Sequence, residues 1–445
     1  MMGFCNKKNN IVLSDYNYQR DIENRVLMAD FSLFDLDVLQ EVLDDSLTIP
    51  VKQLAESLKV SAQKLKPAIE KFKRSKLIRF DNDILHVDKE MRKYYEQQIL
   101  KFDEDFEPGL DFIQGLLSKV PMHELIKWYS ISNSADNIFA SIIDNCLRTP
   151  KIYESYLQEL KFEDPIMRAI MDEVFAAPDF QIPAQTLIKK YKLAREHFEE
   201  CMLHLEYNFV CCLGYQRREE NWEEMVTPIH EWHTYLRFKR NTMPQVIGPK
   251  ETVLRTYAED FGFMQDLVKL LEEIQEKSVL LAKSTPYTQQ LIKELVDLEL
   301  IVVDKQKANA LPEACEWMLQ PLQEQALTIY KHASARLEKQ TNGVYSERDM
   351  REIERSLKVL EAKKWYYLDD FLRSLTVPIG KHEPIALQNK GKKWRYAIPD
   401  YSPEDHAFVD TVFAQPLLES GIVATGTCNN RTCFMITAFG KMIIG

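Results

Sequence analysis

The feature that most constrains this chain is an arrangement that recurs along it: three helical stretches, the last running into a short apolar strand, then a polar turn and a return strand. It is plainest at residues 33–88. Leu33, Leu36, Leu39, Val42 and Leu43 mark one helical face, because residues three and four apart share a side of a 3.6-residue turn. Val51 to Leu58 predicts a short second helix and Ser61 to Leu77 a third. Leu77-Ile78-Arg79-Phe80 and Ile84 to Val87 then read as two strands around Asp81-Asn82-Asp83. A unit of this kind has a small core and no pocket of its own, so it suits recognition rather than chemistry.

Three helices followed by a ribbon is the winged-helix arrangement. The expected fold class is therefore mainly α with small β wings, as tandem winged-helix (helix-turn-helix) units joined by helical connectors. The expected boundaries are 31–90 for the first winged helix, 91–160 for a helical connector and 164–240 for a second winged helix. A less complete third unit follows at 250–320, a helical linker at 321–345, and a C-terminal winged helix at 346–445. In the second unit Asp164 caps a helix with Pro165 at its first position, Ala184 to Tyr191 and Ala194 to Tyr207 supply two more, and Phe209 to Leu213 is the strand. In the last, Ser402-Pro403-Glu404-Asp405 starts a helix that Gly421 ends. A hairpin around Asn389-Lys390-Gly391-Lys392 is inserted within that unit, between Pro384 and Pro399.

In this C-terminal unit, Leu417-Leu418-Glu419-Ser420-Gly421-Ile422-Val423 leads into a ribbon that ends in Ile436-Thr437-Ala438-Phe439-Gly440. It resembles the winged-helix region that accompanies helicase motors of the DNA-repair type. The resemblance covers residues 346–445 and implies a DNA- or motor-associated accessory role. No G-x-x-x-x-G-K-[ST] loop occurs anywhere in the chain, so a motor would have to be another polypeptide.

Bulk properties narrow the classes. The formal charge of −11 repels nucleic acid as a whole-chain field, so any such contact needs a local basic patch. No stretch approaches the roughly 18 apolar residues of a membrane span, and a cytoplasmic protein without membrane contact is expected. Eight cysteines in 445 residues are too sparse for a disulfide scaffold. His230 and His233 near Cys211 and Cys212, or Cys428 with Cys433, could be imagined as zinc ligands. Neither set has two close ligand pairs, so no metal and no cofactor is expected. No nucleophile elbow, paired-carboxylate motif or phosphate cradle is present, and the expectation is a non-enzyme.

The third helix of a winged helix is the reader of the major groove, so its charge is the test. In the first unit Lys64, Lys66, Lys71, Lys73, Arg74, Lys76 and Arg79 are opposed over the same span only by Glu70. With Leu65, Ile69 and Phe72 facing the core, Lys64, Lys71 and Lys76 are expected outermost and Lys66 and Lys73 nearer the core edge. Duplex DNA is the expected partner there. The second site is the hairpin, where Lys390, Lys392, Lys393 and Arg395 interleave with Trp394 and Tyr396, a composition that suits stacking on a single strand. Trp394, Tyr396 and Ile398 also alternate as one packed strand face. The third helices of the middle units read as acidic: Glu196, Glu199, Glu200 and Glu206 in one, Glu294, Asp297 and Glu299 in the other. They are expected to act as spacers or to dock a protein partner such as a motor. The leading function is a nucleic-acid-binding accessory of transcription, repair or chromosomes; the alternative is a winged-helix scaffold that binds only proteins.

Overall fold

The computed structural model describes residues 11–132, 135, 137–218, 221–277, 279–280, 284–305, 307–391 and 393–445. It is mainly helical with small antiparallel sheets. The chain divides into two compact units, one of residues up to Arg237 together with Ala386–Ala397, the other of Phe238–Ile385 and Ile398–Gly445.

The first unit opens with α1 (Tyr18–Ala29), then α2 (Leu33–Asp44), β1 (Thr48–Pro50), α3 (Val51–Ser57), α4 (Ala62–Arg74), β2 (Ile78–Asp81) and β3 (Ile84–Val87). Ser32 starts α2 with a capping box: its hydroxyl accepts the Asp35 N–H while the Asp35 carboxylate accepts the Ser32 N–H. β2 and β3 meet in register from Ile78↔Val87 to Asp81↔Ile84. Asn82 and Asp83 take positive φ between them, the conformation of a two-residue hairpin turn. β1 adds to the far side of β3, giving the order β1-β3-β2. Leu39, Val42, Ile49, Leu65, Phe72 and Leu85 fill the core between these elements.

The same unit continues through α5 (Lys89–Gln98), α6 (Leu110–Leu117), α7 (Met122–Trp128), α8 (Ile138–Ile142) and α9 (Pro150–Glu159) to α10 (Pro165–Ala176). Then come β4 (Ile182–Pro183), α11 (Ala184–Tyr191), α12 (Arg195–Tyr207), β5 (Cys211–Arg218), β6 (Asn221–Pro228) and α13 (His230–Thr242), within which the division of the chain falls. The sheet order is β4-β6-β5, the counterpart of the first. The β5–β6 ribbon is longer than the strand expected at Phe209 to Leu213, running from Cys211↔Pro228 to Arg218↔Asn221.

The second unit contains β7 (Leu254–Arg255), α14 (Gly262–Glu276), β8 (Val279–Leu280), α15 (Pro286–Asp297), β9 (Ile301–Asp304), β10 (Lys307–Ala310), α16 (Pro312–Met318) and α17 (Leu322–Gln340). α18 (Glu347–Ser356), β11 (Trp365–Tyr367) and α19 (Leu368–Ser374) follow. The chain then makes the hairpin β12 (Leu387–Lys390) and β13 (Lys393–Tyr396), which belongs to the first unit, and returns to the second with α20 (Pro403–Val412), β14 (Val423–Cys428), β15 (Arg431–Ile436) and α21 (Ala438–Ile444). The sheets run β8-β10-β9 and β11-β15-β14-β7. In the 250–320 segment no helix lies between β8 and α15 among the described residues, where α3 and α11 follow β1 and β4 in the earlier motifs.

The two segments that carry the C-terminal resemblance touch each other. Gly421 adopts φ +73°, and the Thr437 hydroxyl donates to its carbonyl (2.7 Å) while accepting the Gly440 N–H (2.9 Å). A Cβ at Gly440 would lie 2.0 Å from the Ile422 carbonyl oxygen, so only glycine allows this approach.

The inserted hairpin differs from the sequence expectation in its allegiance. Its strands form where expected, in register from Leu387↔Tyr396 to Lys390↔Lys393. It groups with the first unit and not with residues 346–445. Tyr396 is buried against Trp232 and Tyr235, and its hydroxyl donates to the Leu147 carbonyl (2.8 Å).

Candidate nucleic-acid interface

The basic face of the first motif is built by α4. Its core stripe of Leu65, Ala68, Ile69 and Phe72 is buried, and the helix turns its other sides to solvent. Lys64, Lys66, Arg74, Lys76 and Arg79 are all exposed. Lys66, Arg74, Lys76 and Arg79 have no ion-pair partner among the described residues, and Lys64 sits 4.6 Å over the Phe34 ring. Arg79 extends the face onto β2, next to Phe80, which is 40% exposed. The turn beyond it, Asp81-Asn82-Asp83, is acidic and exposed. A polyanion would therefore meet helix and strand but not the ribbon tip.

Two lysines have other work. Lys71, expected outermost, turns inward: its Nζ donates to Asp35 Oδ2 (2.7 Å) and to the Asp30 carbonyl (3.0 Å). It thereby ties α4 to the N-terminal cap of α2. Burial alone would raise the Asp35 carboxyl, but the hydrogen bonds from Lys71 and Ser32 outweigh it and hold the group below its ordinary value. Lys73 pairs with Glu70 at 2.8 Å and lies 4.7 Å over the Phe80 ring. Lys66, expected at the core edge, is fully at the surface. The discrepancy arises because long side chains choose their partners after the backbone direction is set.

The hairpin contributes less. Lys392 lies outside the described residues. Lys390 and Arg395 are exposed, but Lys393 pairs with Glu107 (2.8 Å), and the half-buried Trp394 stands edge-on to Phe139 with centroids 6.4 Å apart. Trp394 and Tyr396 are thus engaged in packing the first unit.

Only part of the acidic surface expected on the middle third helices is there: Glu196, Asp297 and Glu299 are exposed and Glu200 half-exposed, but Glu199, Glu206 and Glu294 are buried. On α12, Glu199 and Glu206 are 1% and 0% exposed. Arg25 of α1 reaches both: Nε to Glu199 at 2.8 Å, and a two-pronged contact to Glu206 at 2.7 and 3.1 Å. Lys101 adds a second cation at 3.4 Å from Glu206. Burial pushes the Glu206 carboxyl up, but Arg25 and Lys101 override it and bring the group down to about 2. On α15, Glu294 is buried against Arg336 and His332, and Arg336 also holds Glu419 at 2.8 Å. Glu199, Glu206 and Glu294 are thus kept for internal pairs, while Glu196 and Asp297 stay at the surface.

The cysteine and histidine sets weighed for metal do not converge. His233 Nε2 is 3.1 Å from the Asp179 carbonyl, Cys211 and Cys212 are buried on β5, and His230 lies 3.6 Å from Glu107. Cys428 and Cys433 do not face each other across the ribbon; their partners are Arg431 and Gly426. A different trio does converge: Asp164, His197 and Cys201. The sequence signal was there in part, since His197 and Cys201 are four apart on one helix, but nothing in it showed that the α10 cap would face them.

No protein-family model matches this chain, and a search of the curated proteins finds no match. No helix among the described residues is long and apolar enough to cross a membrane.

Proposed function

We propose that this chain is a non-catalytic nucleic-acid-binding protein of tandem winged helices that engages a duplex through α4 and β2. The observation that carries the reading is the group of exposed cations at Lys64, Lys66, Arg74, Lys76 and Arg79, all five without an acidic partner among the described residues. The recurrence of one sheet order, with the last strand between the other two, supports the winged-helix assignment. The C-terminal resemblance supports a partner motor chain. The hairpin, at Lys390 and Arg395, is a secondary contact in this reading.

Polarisation of labelled duplex DNA tests it. Five phosphate contacts give a log–log salt slope of about −4.5, at about −0.9 per contact. Absence of binding at low salt overturns the reading in favour of a second one, a protein-interaction scaffold. That second reading is favoured by the charge of −11 and by apolar side chains exposed in the second unit, Leu319 at 87%, Val359 at 74% and Met442 at 64%.

A further inference from the structure

A cavity of about 320 Å³ lies beside the start of α10, with Ser14, Tyr18, Met167 and His204 in its wall. Three ligand-type atoms converge there. His197 Nε2 is 2.9 Å from Asp164 Oδ2, and Cys201 Sγ is 3.9 Å from each of them. Tetrahedral zinc with bonds of about 2.0–2.1 Å to oxygen and nitrogen and about 2.3 Å to sulfur needs separations of about 3.3 Å between O and N and about 3.6 Å to S. The trio is within a few tenths of an ångström of that geometry.

The supports are also those of a ligand set. His197 and Cys201 stack on one face of α12 by their four-residue spacing. Asp164 is anchored, because its Oδ1 accepts the Ile166 N–H at 2.8 Å and leaves Oδ2 turned to the histidine. Glu200 Oε2 lies 3.8 Å from the other ring nitrogen, Nδ1, near enough to become the outer partner of the ring when an ion replaces the Nε2 proton that now faces Asp164. One sulfur, one nitrogen and one oxygen suit a borderline cation such as zinc and not magnesium or calcium.

We propose that Asp164, His197 and Cys201 bind a zinc ion, with water from the cavity as its fourth ligand. As the Zn–S bond forms, the thiol proton passes to solvent; the carboxylate and neutral imidazole bind without losing one. The ion would clamp α12 to the N-terminus of α10.

The test is a titration of the metal-stripped full chain carrying Cys315→Ser, which removes an exposed thiol, and Cys5→Ser, at a position outside the described residues. Zn²⁺ is followed by competition with a chromophoric chelator, and Co²⁺ by absorption. The expected result is one equivalent bound, with a thiolate-to-cobalt charge-transfer band that Cys201→Ser abolishes. His197→Gln, at a side chain 43% exposed, should keep the parent circular dichroism and lose more than the ~10–100-fold in affinity that a supporting partner is worth. Absence of saturable binding, a cobalt spectrum without the thiolate band, or binding unchanged in the folded His197→Gln variant would overturn the proposal.

Discussion

α4 and α12 are both 13-residue helices at the same place in their motifs, and both are rich in charge. On α4 one stripe is buried and the charges line the solvent side. α12 packs against α1, α6, α10 and β5, leaving its exposure to the N-terminal positions around Glu196, His197 and Glu200. The difference teaches that helical charge reports a binding surface only where the helix has neighbours on one side. Where neighbours surround it, the same charge reports a buried pair.

Breaking that pair is the sharpest way to test the contrast. Glu206→Ala leaves Arg25 and Lys101 without their shared anion and should destabilise the first unit by about 3–5 kcal/mol in denaturant unfolding. A loss under 1 kcal/mol would mean that α12 is as open as α4. Charge reversal on the face of α4 and β2 should do the opposite, sparing stability and removing the proposed binding. With Lys66, Arg74, Lys76 and Arg79 all changed to Glu, duplex affinity at low salt should fall about 100-fold or more and the salt slope become shallower by about 3.6. Unchanged affinity would end the nucleic-acid reading.

Buried carboxylates with and without cations should also respond to pH in opposite senses. Glu206, held down to about 2, stabilises the fold above its ordinary value of 4.5, and that contribution is lost as pH falls through about 2. Glu231 is 4% exposed, its Oε2 has no hydrogen-bond partner, and burial pushes it up to about 7. The folded chain keeps a proton that the unfolded chain releases, so stability should fall by about 3 kcal/mol as pH rises from about 4.5 to 7 and then level off. Glu231→Gln should flatten that slope in unfolding curves at pH 5 and 8. The smallest effect belongs to Lys71→Ala, which removes the tie to Asp35. It should cost about 1 kcal/mol, since the lysine is partly exposed, and shift DNA affinity less than twofold.

Much of the fold was legible because it follows local periodicity. α11, α12, β3 and the β12–β13 hairpin lie within a residue or two of where spacing and turn residues predict them. β1 and β4, three and two residues long, have too little pattern to announce themselves and exist through pairing with β3 and β6. The basic face of α4 was readable because exposure follows from a single apolar stripe. The burial of Glu199 and Glu206 was not, because their cation, Arg25, is 174 and 181 positions away, and periodicity carries no information over that distance. The Asp164, His197 and Cys201 trio was hidden for a similar reason: a capping residue is visible in sequence, but which helix faces the cap is not.

The hairpin at Ala386–Ala397 has a consequence for synthesis on the ribosome. Residues up to Arg237 emerge with Trp232 and Tyr235 still lacking the Tyr396 ring that covers them in the finished unit. At roughly 5–20 residues per second, that ring arrives on the order of ten to thirty seconds later. For that interval an aromatic surface stands open on a nearly complete nascent domain, a window in which a chaperone has something to hold.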